Sequence, residues 1–253
     1  MRIIRGKKLL IVIFVLVLSI FFGFVIYRKV IHKPPTQSTP QTTPPASQSA
    51  PQSQPTSETK EKKLPSSYDL TVPFVPQAPF GVWDNLHDNA CEEASIILVH
   101  YYKIGKSLSR EQADSEINKM VNYEIKKYGK HKDLTAQETA DLAKEFYGYK
   151  NVKVAYDFSW DDVKREIANN NPVIVPAAGR LLNNPNFRQP GPVYHMLVIR
   201  GYTQNEIITN DVGTRKGESY KYSYQTLDGA IHDWTENPNI IQDGKRAMLV
   251  LEN

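Results

Sequence analysis

The chain has 253 residues, with 31 Lys and Arg against 27 Asp and Glu, 17 prolines and a single cysteine. Residues 1–64 hold ten basic and two acidic side chains, so residues 65–253 carry 21 basic against 25 acidic groups, and the net charge of +4 belongs to the N-terminal segment. A mildly acidic remainder has no electrostatic footprint for nucleic acid, and roughly 189 residues suffice for one domain with a real core.

Arg2, Arg5, Lys7 and Lys8 precede an uncharged apolar run from Leu9 to Tyr27, which is closed by Arg28, Lys29 and Lys33. At about 1.5 Å per residue a helix of that length reaches roughly 28 Å, close to the hydrocarbon thickness of a bilayer. A secretory signal has a shorter apolar core and a small-residue cleavage site. Here the run leads into "YRKVIHKPP" with no such site, so residues 1–33 read as an uncleaved single-pass membrane anchor. The short N-terminal tail and the linker beyond favour an N-in, C-out arrangement, with the C-terminal domain outside the cytoplasm. Residues 34–64 are rich in Pro, Ser, Thr and Gln, the composition of an extended, disordered tether. At about 3.1 Å per residue it spans up to roughly 90 Å, a length that suits a cell-wall spacer and equally a featureless linker.

Beyond Pro65 the elements come in order. Asn89 followed by Glu92 has capping-box spacing, and Ala94, Ile97, Leu98 and Tyr101 then fall on one helical face. Further helices are predicted from Ser109, with Gln112 three residues on, and from Thr135 with Glu138, the latter closing near Gly148. A strand, "NVKVAY", and a helix from Ser159 follow. After Pro172 the texture changes to short β-rich runs, "VIVPAA", "YHMLVIRGY", "EIITND", "ESYKYSY" and "RAMLVLE", with one helical interlude, "QTLDGAIHDW". Helices first and an antiparallel sheet afterwards make an α+β domain over residues 65–253. Residues 179–192, "GRLLNNPNFRQPGP", form a long loop of the kind that sits over binding sites.

The lone thiol, Cys91, lies in "DNACEEAS". An unpaired cysteine is commonly a small buried hydrophobe, but on an exported protein it flags reactivity. With Asn89 as N-cap it occupies the first helical turn, where free N–H groups and the helix dipole favour a thiolate. Glu92 and Glu93 oppose that charge. As side chains free to turn into solvent they are expected to be outweighed by a paired imidazolium, giving a thiol pKa below about 8.5.

Of the six histidines, His32 abuts the anchor, and His100 is too far along its helix to reach the thiol. His131 sits among charges in "KYGKHKDLT" and reads as solvated surface, His87 lies in a loop, and His232 reads as structural. His195 opens an apolar strand, a rigid support where a polar residue needs a reason. If "GYTQN" makes a five-residue hairpin loop, Arg200 faces Glu206 and His195 faces Asp211, with Cβ atoms about 5 Å apart. Asp211 is also an ordinary strand-end residue in "NDVGTRKG". Acyl transfer needs oxyanion donors as well; the Cys91 amide is one candidate and Gln77, in "VPFVPQAPFGVW", a second, its alternative being a plain polar residue in a proline-rich segment.

"VPFVPQAPFGVWDNLHDNACEEASIILVHYY", "GPVYHMLVIRGY" and "IITNDVGTRKG" together resemble the papain-like cysteine peptidases, nearest to the bacterial group of the double-glycine leader (bacteriocin-processing) peptidases. The resemblance spans nearly all of residues 65–253. It implies a papain-like fold and a nucleophile at Cys91, a base at His195 and an orienting aspartate at Asp211, with Gln77 in the oxyanion hole. The family commonly has glycine after the cysteine where this chain has Glu92. No transporter module accompanies the domain, so the leader-peptide substrate does not carry over.

Two readings follow. The first is a membrane-anchored extracytoplasmic cysteine peptidase acting on a peptide or protein substrate, the alternatives with the same residues being an acyltransferase or a cell-wall amidase. The second is an inactive papain-like scaffold serving as a tethered binding module, to which Glu92 and the loop "NNPNFRQPG" give weight. "IGKS" lacks the upstream glycine of a phosphate loop. No cysteine pair or close histidine pair has zinc-ligand spacing, and there is no G-x-S-x-G. No cofactor is implied, beyond room for a calcium ion in an acidic surface loop. Oligomeric state is not encoded in any pattern found.

Overall fold

The computed structural model describes residues 64–252. The expected anchor, residues 1–33, and the tether up to residue 63 lie outside the described residues. Among the described residues no helix is long and apolar enough to cross a membrane.

Helix α1 runs from Cys91 to Lys103. Its N-cap is Ala90, with no side-chain cap, and not Asn89 as the spacing suggested. Asn89 instead closes a 3-10 turn, His87–Asn89, and its Nδ2 donates to the Asn85 carbonyl at 2.9 Å. Glu92 is unavailable for a capping box because its carboxylate accepts from the Leu134 amide at 2.8 Å. The expected one-sided apolar face is also wider than the pattern showed. All residues from Cys91 to Val99 are buried, since the strand Tyr194–Tyr202 and the helices Arg110–Tyr128 and Ala136–Tyr147 pack around the helix. Burying an aliphatic side chain such as Ile96, Ile97 or Leu98 stabilises the fold by about 1.5–3 kcal/mol.

The other helix starts follow the local code. Helix α2, Arg110–Tyr128, begins at a capping box in which Ser109 accepts from the Gln112 amide and Gln112 accepts from the Ser109 amide. Helix α3, Ala136–Tyr147, repeats this with Thr135 and Glu138, and stops at Gly148 in the left-handed conformation. Helix α4, Trp160–Ala168, is boxed by Ser159 and Asp162. Helix α5, Tyr224–Ala230, stops short of the expected interlude because Ile231 turns extended.

The strands are β1 (Tyr68–Asp69), β2 (Asn151–Tyr156), β3 (Val173–Ala178), β4 (Tyr194–Tyr202), β5 (Glu206–Asn210), β6 (Tyr220–Ser223) and β7 (Ala247–Glu252). They form one antiparallel sheet in the order β2-β7-β3-β4-β5-β6, with β1 paired to the end of β4. Every residue of β3 and β4 is buried, so the polar members of β4 need partners. Arg200 finds one in Asp69, Nε to Oδ1 at 2.9 Å.

The hairpin register differs from the expected one. Strand β4 continues through Gly201 and Tyr202, which pair with Ile208 and Ile207, and the ladder shifts between Ile199 and Gly201. Arg200 sits in that irregularity and does not face Glu206, which pairs with Ser223 and forms an ion pair with Lys221 at 3.3 Å. Val198 faces Asn210, so extending the ladder puts Asp211 opposite Leu197 and diagonal to His195. Diagonal neighbours on one sheet face lie within reach of long side chains.

Ser109 tests the local code in isolation. Ser109→Ala removes an amide acceptor from the α2 start and is expected to cost about 0.5–2 kcal/mol in urea unfolding, whereas Ser109→Gly should cost only a few tenths. No measurable loss in Ser109→Ala would show that the cap contributes nothing.

Candidate active site

His195 near the start of β4 and Asp211 just after β5 meet directly. The imidazole Nε2 donates to Asp211 Oδ1 at 2.8 Å, and both residues are buried. Three further donors converge on the carboxylate. The Gly213 amide reaches Oδ1 at 3.0 Å, and the Tyr222 hydroxyl and Asn184 Nδ2 reach Oδ2 at 2.5 and 3.0 Å. Burial alone would raise the Asp211 pKa. The charge and hydrogen bond of His195, with the bonds from Tyr222 and Gly213, outweigh burial and hold it below the ordinary aspartate value.

The imidazole is held on its faces too. Phe187, from the 179–192 loop, meets it edge-on with ring centroids 5.4 Å apart. Gly213 passes so close that a Cβ there would lie 2.9 Å from His195 Cε1, leaving room for glycine alone. With Nε2 engaged as donor, Nδ1 is the nitrogen left with a free lone pair in the neutral ring.

A cleft of about 850 Å³ contains Cys91, His195 and Gln77 in its lining, together with Trp83, Phe187 and Asp133. Phe80 and Val82, beside Trp83 in sequence, are exposed apolar side chains. The 179–192 loop supplies much of the wall, as the sequence suggested. The segment leading to Cys91 is pinned to the sheet by the Gln77 amide donating to the Val212 carbonyl, and by Asn210 Nδ2 donating to the Val72 and Pro73 carbonyls.

Cys91 opens α1, whose start has no side-chain cap, and the first turn of a helix is the end that favours an anion. Its thiol donates to Glu92 Oε2 at 2.9 Å. Glu92 and Glu93 are both buried, contrary to the expectation that they turn into solvent. The expected low thiol pKa is corrected accordingly. Burial first, then the charge and hydrogen bond of Glu92, with Asp133 and Glu93 adding to them, push the Cys91 pKa well above that of an ordinary thiol. Burial and the charge of Asp133 push the Glu92 carboxyl up to about 8. Thiol and carboxyl thus both hold their protons at neutral pH in this arrangement.

Gln77 is buried and lines the cleft, but its Nε2 donates to the His87 and Asp88 carbonyls at 2.8 and 3.3 Å. Those two acceptors fix the amide orientation and leave Oε1 without a partner. Serving as an oxyanion donor would require Gln77 to turn. His87 has both ring nitrogens engaged, with Asp84 at 2.8 Å and Asp114 at 3.1 Å, so it is spoken for as a structural link. His232 lies between the Gly244 and Gly229 carbonyls. His131 is not the solvated residue expected, since its side chain is 11% exposed and its Nε2 lies 2.9 Å from Glu93.

Asn184, Phe187, Gly213 and Tyr222 support the imidazole and carboxylate but were not singled out in the sequence. The 179–192 loop pointed toward the first two. Tyr222 sits in the alternating run "YKYSY" and Gly213 in a turn-like "DVGT", neither of which distinguishes a site residue from an ordinary one.

A thiol opening a buried helix, with an imidazole–carboxylate pair on an antiparallel sheet in the same cleft, is the architecture of papain-like cysteine peptidases. The sequence profile of the Peptidase_C39 like family matches residues 69–239, and the chain belongs to that family. Among solved structures it is similar to a candidate C39-like peptidase from Bacillus anthracis, at 15% identity and a TM-score of 0.48, covering 74% of this chain and 98% of that one. It is also similar to xylellain, a cysteine protease from Xylella fastidiosa, at 13% identity and a TM-score of 0.43, covering 76% and 87% of the two chains. No curated protein sequence matches.

The Glu92 contact generates a direct test. Thiolate fraction rises as pH climbs toward a raised pKa, so iodoacetamide should label Cys91 slowly at pH 6 and progressively faster into the alkaline range. Glu92→Gln removes the acceptor of the thiol's hydrogen bond and a carboxyl that becomes charged above about pH 8, and should speed labelling at pH 9 by roughly tenfold. Fast labelling of the unsubstituted protein at pH 6 would show instead that the thiol is already ionised.

Proposed function

We propose that the chain is a membrane-tethered cysteine peptidase acting outside the cytoplasmic membrane, with Cys91 as nucleophile, His195 as base and Asp211 as orienting carboxylate. The observation that carries this reading is the His195–Asp211 hydrogen bond through Nε2 at 2.8 Å, which leaves Nδ1 as the acceptor in a cleft that Cys91 also lines. In the proposed cycle Cys91 leaves Glu92 and passes its proton to His195 Nδ1. The thiolate attacks the amide carbonyl, and the imidazolium protonates the leaving amine. Water then cleaves the thioester and restores the thiol. The Cys91 amide at the α1 start is the first oxyanion donor, and Gln77 the second after its amide turns. Asp211 keeps the tautomer that donates from Nε2 and stabilises the imidazolium.

The apolar Trp83 and Phe187 beside the polar groups of the cleft suit a peptide-like substrate. Descent from the group of double-glycine leader peptidases is part of the same proposal, without their substrate. A binding module on a resting scaffold is the second reading, and the thiol's hydrogen bond to Glu92 favours it.

Turnover of a peptide-library substrate separates them. Cys91→Ala should abolish turnover and His195→Ala should lower kcat/KM about 10²- to 10⁴-fold, while Asp211→Asn should leave measurable activity. Near-normal turnover in His195→Ala would reject the base, and a protein with no turnover that still binds peptides would favour the module.

The anchoring proposal rests on the apolar run from Leu9 to Tyr27 and the tether beyond it. Protease added to intact cells is expected to release a fragment beginning within residues 34–64. A protected domain, or a mature chain that begins beyond residue 33, would overturn it.

A further inference from the structure

Behind the first turn of α1, Glu93, Glu124 of α2 and His131 of the loop between α2 and α3 bring one ligand atom each within 4.8 Å of one another. Glu93 is 1% exposed and Glu124 is 0% exposed. Apart from the approach of the two carboxyls to each other, their four oxygens and His131 Nε2 lack a hydrogen-bond partner in a region closed to solvent. His131 Nε2 lies 2.9 Å from Glu93 Oε1, yet off the direction of a hydrogen bond. With Nε2 unpartnered, the backbone hydrogen bond that His131 makes at Asn89 falls to the ring's other nitrogen, which favours the proton there and leaves a lone pair on Nε2 beside the Glu93 carboxyl. Side chains with this degree of burial are normally paired or bound to metal.

We propose that Glu93, Glu124 and His131 bind one divalent transition ion of the Zn²⁺ type, separate from the Cys91–His195 cleft. Two carboxylates neutralise a dication, and the mixed nitrogen and oxygen donors suit Zn²⁺ better than Ca²⁺ or Mg²⁺, which take oxygen ligands. Bonds of about 2.0–2.2 Å put tetrahedral ligand atoms about 3.4 Å apart, so a small inward movement of the side chains closes the site, and water completes the fourth position. His131 orientation by a backbone carbonyl is the outer-shell contact that metal-bound histidines commonly make. A second cleft, lined by Asn89, His131, Lys132, Asp133 and Trp234 among others, borders the cluster at His131. Lys132 in that mouth is engaged with Glu138, which lessens its repulsion of a cation.

The ion would join α1, α2 and the 129–135 loop two residues from Cys91. It has no part in the proton transfers proposed for the cleft, so it stands whether or not the chain is a peptidase. The test uses metal-stripped full-length chain in detergent, carrying Cys91→Ala so that the thiol cannot bind zinc. Equilibrium dialysis against Zn²⁺ should give one ion per chain, and Zn²⁺ should raise the melting temperature by several degrees. Adding His131→Ala or Glu124→Gln, with folding checked by circular dichroism, should weaken binding at least about tenfold and remove the melting shift. Absence of stoichiometric Zn²⁺, or binding unchanged in both folded variants, would overturn the site and leave Glu93 and Glu124 as a carboxyl pair sharing a proton.

Discussion

A carboxylate removed from water has to be satisfied where it stands, because nothing in an apolar interior replaces its hydration. Asp211 is satisfied by donors from separate pieces of chain: His195 on β4, Gly213 after β5, Tyr222 on β6 and Asn184 in the 179–192 loop. Asn184 also donates to the Tyr222 hydroxyl at 2.8 Å, so the group is a connected network. This one buried charge fixes the loop over the cleft, the turn that lets Gly213 pass beside the imidazole, and the ring nitrogen left as an acceptor. Moving any member leaves a charged acceptor short of a donor.

The cysteine side of the cleft follows the opposite electrostatic logic. At the α1 start, Glu92, Glu93 and Asp133 crowd a thiol that the helix dipole would otherwise help to ionise. Burial raises Glu92 and Glu93 to about 8 and Glu124 to about 10, so these groups tend to remain neutral at neutral pH without a cation. Glu92 nonetheless has a structural use, since one oxygen ties the α1 start to Leu134 while the other receives the thiol proton. The same residue therefore anchors the helix and restrains its thiol. The cleft thus holds an imidazole with a free acceptor nitrogen and a thiol that donates to a carboxyl instead.

Much of the framework was legible because it depends on neighbours in sequence. The boxes at Ser109 and Thr135 and the turn at Gly148 are contacts across a few residues, and the strands from Val173 onward are apolar runs of strand length. His195 and Asp211 stood out as polar residues at the start and end of such runs. Their meeting survived a wrong register, because the shift at Arg200 converted an opposite pair into a diagonal one that side chains still span.

The sequence by itself therefore determined the α+β order of elements, most helix ends and the presence of one thiol before a helix, all of which rest on short-range geometry and hydrophobic period. Only the tertiary structure decided which acids are buried and what they touch. Glu92 and Glu93 look like two solvent-facing charges at a helix start, yet the packing of β4, α2 and α3 around α1 leaves that turn no solvent face. Glu124 and His131 were brought to Glu93 by that same packing, across separations no local pattern encodes. Burial is a property of what the other elements leave open, and it set the ionisation of the thiol against the direction that the helix start alone implied.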